Sequence, residues 1–282
     1  MTAPPQDGGA PVYVDTHVHL DDRRYDVDRA AMMARARAAG VRTFVSVGTD
    51  VDDSAWAVAA AAADPDIFAV VGRHPERAVE MGPDDLRKFR ALLKAPGVVA
   101  VGEVGLDYHR PDHDARAQQR VLGEMLGLAR EAGLPLVVHV RGAFEPLFEV
   151  LRRDWDPRLG GVFHCFSGDA VQARQALDLN FDLALGGVLT FKNAAPLREL
   201  AAGLPLDRLV LETDGPWLAP QAWRGGRNEP AYLPNVAALL AELKGLRLDE
   251  VARATTSNAR RLFRLDSRAG GGAVPPLQAR TS

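Results

Sequence analysis

A single (β/α)8 barrel is the fold class that the sequence predicts, on three observations. Short β-rich runs alternate with longer segments of helical period, the runs number eight, and no linker divides the chain between Val12 and Phe263. A doubly wound open sheet is the alternative; eight regular repeats over about 250 residues favour closure. The strands, in order, are VYVDTH from Val12, TFVSVG from Thr43, IFAVVG from Ile67 and VVAVGE from Val98, followed by PLVVHV from Pro135, GVFHC from Gly161, FDLALG from Phe181 and RLVLETD from Arg208. Between them, Asp28 to Ala39 reads as a helix stopped by Gly40. Ala115 to Ala132 follows a cap at Asp114, stops at Gly133, and repeats Val121, Leu122, Met125, Leu126, Ala129 and Ala132 at three- and four-residue intervals, which gives one buried stripe. Pro234 to Lys244 and Asp249 to Phe263 are the last helices. Residues 1–10 and 268–282, rich in Gly, Pro and small polar residues, read as flexible tails around a barrel domain of residues 11–267.

The 282 residues carry 34 basic and 37 acidic side chains, a formal net charge of −3, with 47% hydrophobic residues. That balance excludes a broad basic face for duplex nucleic acid, so any nucleic-acid contact must be local. The lone Cys165 excludes internal disulfides and a thiolate zinc site and fits a reducing compartment. With no signal-peptide pattern and no uncharged apolar run of about 18 residues, a cytoplasmic protein without membrane contact is expected. The sequence sets no oligomeric state, and a monomer suffices.

His17 and His19, two apart in an extended run, project on one face at the end of the first strand. One such pair is weak on its own. Glu103, however, falls at the end of the fourth strand, His139 of the fifth, His164 of the sixth and Asp214 of the eighth, and a parallel barrel opens all of these ends on one face. Six ligands exceed one tetrahedral site, so two divalent ions with one bridging carboxylate are expected. The nitrogen-rich set suits Zn, Mn, Fe or Co better than Mg alone.

The motifs DTHVHL, GRHP from Gly72, GEVGLDYHR from Gly102, VVHVR from Val137, HCFSG from His164, TFKN from Thr190, LETDGPWLAP from Leu211, RGGRNEP from Arg224 and TTSNARRLF from Thr255 resemble, in order, those of the TatD family of metal-dependent deoxyribonucleases. The likeness runs from about Val12 to Phe263. It implies metal-dependent hydrolysis of DNA phosphodiester bonds, with exonuclease action on single strands, and metal binding by His17, His19, Glu103, His139, His164 and Asp214. His109, Glu76 and Arg73 depart from the family's usual residues, all on the substrate side.

Around these ligands, His74 either hydrogen-bonds a phosphate or leaving oxygen or stabilises its loop. Asp107, Tyr108 and Arg110 are read as a loop past the fourth strand, with Tyr108 against a base, Arg110 on a phosphate, and Asp107 at the substrate or fixing the loop. Arg141, two beyond His139, is expected on a phosphate. Lys192 and Asn193 follow the seventh strand, where barrels often hold phosphate, although Asn193 also suits a helix cap. Arg227 guides the strand toward the metals or pairs with Glu229. Trp217 and Trp223 stack on bases or anchor loops, and Cys165 reads as a buried strand residue.

The expected mechanism is attack of a metal-activated water on phosphorus, with Glu103 bridging, Asp214 accepting the proton and Arg141 offsetting charge on the phosphate. The substrate is then single-stranded DNA or a short oligonucleotide. A different ester, a lactone, a cyclic amide or a tRNA-linked ester on the same barrel is the near alternative. A non-catalytic nucleic-acid binder with structural metal is the remote one.

Overall fold

The computed structural model describes residues 10–268. The eight strands are β1 (Tyr13–Val18), β2 (Val41–Val47), β3 (Ile67–Val71), β4 (Val98–Asp107), β5 (Leu136–Arg141), β6 (Gly161–Phe163), β7 (Phe181–Leu185) and β8 (Leu209–Leu211). They form one parallel sheet in chain order, β1 to β8. The helices are α1 (Arg29–Ala38), α2 (Val51–Ala63), α3 (Asp85–Leu92), α4 (Ala115–Ala132), α5 (Phe144–Asp154), α6 (Ala170–Asp178), α7 (Ala195–Gly203), α8 (Leu233–Lys244) and α9 (Leu248–Phe263). The expected (β/α)8 barrel is what the chain builds. Apart from Ala10 and Arg268, the two expected tails lie outside the described residues. Among those described, no helix is long and apolar enough to cross a membrane.

Period-2 alternation sorts the strand residues into two apolar layers. Val45, Val47, Phe68, Val70, Val137, Val162 and Val210 pack with Ala259, Phe263 and Leu265, so the barrel interior is filled and α9 with the turn after it closes one end. Their neighbours Phe44, Ala69, Val71, Val101, Val138 and Leu183 join the larger cluster beneath the helices. The stripe read on α4 is buried except at Ala132, which is exposed where the helix runs out at the surface, and the helix ends follow the local chemistry. Asp114 accepts from Ala117 N at 2.9 Å, and Gly133 ends the helix at φ 66°, a conformation without cost for glycine.

Three strands end differently from the expectation. β4 continues four residues past Glu103, so Asp107 is a buried strand residue and not part of a loop. Gln118 of α4 holds it there, donating Nε2 to Asp107 O at 2.9 Å and accepting Asp107 N at 2.8 Å. β6 and β8 stop early, which leaves His164, Cys165 and Glu212–Asp214 on irregular backbone. Cys165 is thus not a strand residue; like Asp214 it has positive φ, 46° and 58° respectively. Asp tolerates this region better than most residues, and such positions cluster where chemistry requires a particular side-chain direction.

Candidate metal centre

The seam that closes the barrel is where the site begins. Between β1 and the segment after β8, Asp214 N donates to His17 O at 2.9 Å and His19 N to Gly215 O at 2.8 Å. These two bonds seat Asp214 beside both histidines. His17 Nε2 and His19 Nε2 lie 3.3 Å apart, and Asp214 Oδ1 is 3.9 Å from the first and 3.5 Å from the second. His19 Nδ1 meets Val47 O at 3.0 Å, a contact that requires a proton on Nδ1 and turns Nε2 toward the cluster.

Glu103 lies at the centre, buried, with its two oxygens facing different groups. Oε2 is 3.5 Å from His17 Nε2 and 3.8 Å from His19 Nε2. Oε1 is 2.9 Å from His139 Nδ1 and 3.6 Å from both His164 Nε2 and His74 Nε2. His139 also reaches Asp107 Oδ2 through Nε2 at 3.0 Å, so it spans two carboxylates. His74 takes the loop-stabilising role considered for it, with its other ring nitrogen turned to the site. Its Nδ1 accepts from Glu76 N at 3.2 Å, capping the turn Pro75–Glu80, and the remaining ring proton then sits on Nε2, facing the site as a donor.

Two carboxylates escaped the sequence reading. Glu212 accepts from His164 Nδ1 at 3.1 Å and from Cys165 N at 2.6 Å, which leaves His164 Nε2 aimed at Glu103. Asp15 accepts from Thr213 N at 3.0 Å, Thr213 Oγ1 at 2.5 Å and His17 N at 3.3 Å, tying the two ligand-bearing segments together across the seam. Burial pushes its carboxyl up to about 7, against the pull of Thr213. Each was visible only as an acidic residue beside a ligand motif, Asp15 in DTHVH and Glu212 in ETD.

The electrostatics show what this cluster lacks. Burial opposes charge on every histidine here. Even so, Asp214 and Glu103 raise His19 to about 9, Asp107 and Glu103 raise His139 to about 9, and Glu212, Glu103 and Asp214 raise His164 to about 10. Burial would also raise Glu103 and Asp214, yet the surrounding imidazoles hold both carboxyls below their usual range. The site is therefore a concentration of negative charge that draws in protons wherever no other cation is supplied. His17 stays neutral because burial and the neighbouring His164 charge lower it, and its buried Nδ1 has no partner among the described residues.

Divalent cations fit that deficit. His17, His19 and Asp214 offer ligand atoms within 4.8 Å of one another; so do His17, Glu103 and His164, and so do His74, Glu103 and His139. Imidazole and carboxylate donors with fixed tautomers are the ligands that zinc and its first-row neighbours accept.

Of the basic residues expected at the substrate, the structure separates engaged from free. Arg227 is engaged: it grips Asp28 through two bonds of 2.6 and 2.9 Å, lies 3.5 Å from Glu229 and donates to Arg24 O at 2.7 Å. Its Nη1 and Nη2 are thus committed within the fold, which leaves it less free than Arg141 or Lys192 to guide a substrate. Arg110 pairs with Glu76 at 2.8 Å on an exposed rim, and Tyr108 stacks on His113, 4.5 Å between ring centroids. Arg73 points away into a buried pair with Asp85 at 2.7 Å. Arg141 and Lys192, both exposed, have no ion-pair partner among the described residues. Asn193 is exposed and caps no helix, since α7 begins after Ala194 without a side-chain cap.

With this geometry in hand, the relatives are informative. The TatD related DNase family profile matches residues 14–264. An "uncharacterized metal-dependent hydrolase YabD" of Bacillus subtilis is 40% identical over 89% of this chain and 99% of its own length. A "3'-5' ssDNA/RNA exonuclease TatD" of Erwinia tasmaniensis is 36% identical over 89% and 99%. The crystal structure of the TatD homologue YJJV from Escherichia coli superposes with a TM-score of 0.86 at 34% identity, covering 89% of this chain and 98% of that one. The chain belongs to the TatD family of metal-dependent hydrolases.

Proposed function

We propose that this hydrolase is a cytoplasmic nuclease that removes nucleotides from single-stranded DNA, working inward from the 3′ end with two divalent ions. The observation that carries this reading is the division of Glu103. One of its oxygens faces His17 and His19, the other His139 and His164, so Glu103 would help to hold an ion beside either group of histidines. His17, His19 and Asp214 would hold one ion and His139 and His164 the other. When bound, the ions supply Lewis acidity to an attacking water and to the phosphate.

The chain's own groups supply the rest. Asp214, kept ionised by its histidine neighbours, accepts the proton of the attacking water. Burial drives His74 down to about 3, so it is neutral and offers its Nε2 proton to a phosphate or departing sugar oxygen. Arg141 meets the phosphate: it forms no salt bridge among the described residues, and Asp107, the carboxylate across from it on β4, is already bonded to His139 Nε2 and His109 N. Lys192, Asn193, Tyr108 and Arg110 line the wider mouth. The 3′ direction and the single-strand preference rest on the name of the Erwinia relative, and the cytoplasmic location on the lone thiol.

The test incubates the metal-loaded enzyme with oligonucleotides labelled at either end, alongside a panel of esters and lactones. Stepwise loss of nucleotides from the 3′ end is the expected result. Intact DNA with turnover of an ester or lactone would overturn the nuclease reading.

A further inference from the structure

Trp217 stands three residues past Asp214 and is 50% exposed, an unusual state for the largest apolar side chain. It is not loose. Its N–H donates to Asp214 O at 2.8 Å, closing a turn that keeps the two Cα atoms within about 7 Å. Its carbonyl accepts from the buried Asn228 Nδ2 at 2.7 Å, and the same nitrogen donates to Thr213 O at 2.7 Å. The backbone of Trp217 is therefore fixed beside Asp214 on the segment after β8.

One face of the ring is covered. The Arg24 guanidinium lies 3.5 Å from the ring centroid and is locked by Asp22, with Nε to Oδ1 and Nη2 to Oδ2 both 3.0 Å. Arg24 Nη1 has no partner among the described residues. Behind this pair the mouth is walled. Tyr25 Oη donates to Asn228 O at 2.7 Å, Arg227 grips Asp28, and Arg35 grips Glu229 at 2.6 Å, zipping the segment after β1 to the loop after β8. Arg24, Arg35 and Arg227 of that wall are each paired with a carboxylate, whereas Arg141 at the end of β5 and Lys192 after β7 form no salt bridge among the described residues.

We infer that the open face of Trp217 is the stacking platform for the base of the terminal nucleotide, with Arg24 Nη1 on the phosphate beside it and the rest of the strand leaving past Arg141 and Lys192. The inference rests on the nuclease reading and specifies how its substrate is seated. A base has a π-face whatever its identity, so the platform selects for a strand end without selecting sequence. Because Arg24 covers one side, it takes one base and does not intercalate between two.

Two measurements test this. In chelator, where no hydrolysis occurs, oligothymidylate should quench the intrinsic fluorescence of the wild-type protein, and Trp217→Phe should lose most of that quenching while still binding the oligonucleotide. With metal, kcat/KM for a strand lacking only its 3′-terminal base should be about tenfold to a hundredfold below that for the intact strand, the range of one base–aromatic stack. Trp217→Ala should lower the intact strand to the abasic level and leave the abasic one unchanged, and Trp217→Phe should keep most of the difference. Removing the penultimate base should matter little in any of these proteins. An equal loss on intact and abasic strands in Trp217→Ala, or no loss on either, would overturn the platform while leaving the nuclease intact. A wild-type protein that neither binds nor cuts oligonucleotides would overturn both.

Discussion

Glu212→Gln isolates the influence of a residue that touches neither substrate nor the shared centre of the site. Glu212 is buried and accepts from two donors, His164 Nδ1 at 3.1 Å and Cys165 N at 2.6 Å. An amide in its place can keep only one oxygen. If that oxygen stays with Cys165 N–H, the amide nitrogen faces His164 Nδ1, which must then present a lone pair, and the ring proton moves to Nε2. Nε2 is the atom 3.6 Å from Glu103 Oε1 and 4.0 Å from Asp214 Oδ1, so the lone pair a metal would use is lost. If the amide flips, Cys165 N–H is stranded instead, and the backbone that carries His164 loses its anchor. Either way, metal affinity should fall about 10- to 100-fold, the usual effect of removing a carboxylate behind a histidine ligand, which is about 1.4 to 2.8 kcal/mol. The assay is competition with a chromophoric chelator on metal-stripped protein, with circular dichroism to confirm the fold and hydrolysis measured at excess metal. Partial recovery of activity at excess metal is expected. Affinity within about twofold of wild type, on a folded protein, would refute the claim that Glu212 sets the His164 proton.

Four further outcomes follow from the same geometry. Asp214→Asn should fold, because Asn also tolerates the left-handed backbone at φ 58°, yet hydrolysis should drop at least about a hundredfold with metal content assayed in parallel; near-normal rates with both ions bound would remove Asp214 as the proton acceptor. Arg141→Ala should leave metal content unchanged and cost about ten- to a hundredfold in kcat/KM, and full activity would return this residue to the surface. Binding of ions at pH 7 should release protons from His19, His139 and His164, measured by calorimetry in buffers of different ionisation enthalpy, and affinity should rise with pH toward 9 to 10; by the same sign, the stability these raised histidines give the metal-free protein is complete below their ordinary 6.5 and lost as pH rises through about 9 for His19 and His139 and about 10 for His164. Arg227→Ala should lower the thermal midpoint while kcat on a small phosphodiester stays near wild type, since the Asp28 grip belongs to the fold; a selective loss of kcat would make it part of the chemistry.

Most of the architecture was legible because it is carried by local pattern. Period-2 runs, the α4 stripe and the Asp114 and Gly133 boundaries act within a few residues, and the structure follows them closely. The six candidate ligands were legible for a different reason: a parallel barrel fixes where strand ends go, so residue type and position near an end suffice. Less visible was how far each strand runs. β4 extends to Asp107 because Gln118, eleven residues on, satisfies its backbone, and this pairing has no periodic signature. Asp15 and Glu212 were passed over because their importance lies in what they orient, and an acidic residue one or two positions from a ligand carries no mark of that.

The arginines of the mouth show the same limit most clearly. In sequence, Arg141 and Arg227 both offer a cation to the phosphate, Arg141 two residues past a ligand and Arg227 in a loop where Glu229 is a rival partner. What separates them is Asp28, 199 residues from Arg227, which locks one guanidinium through two bonds, whereas the other forms no salt bridge among the described residues and meets only the longer-range charge of Asp107 on the neighbouring strand. A chain with net charge −3 can approach a polyanion only through cations its own carboxylates leave free, so substrate contact is decided by pairing across the barrel and not by the count of basic residues. Arg227 still bears on the substrate side, because it also holds the carbonyl of Arg24, whose guanidinium lies on Trp217. The residue expected to touch the strand thus acts one step behind the surface that would receive it.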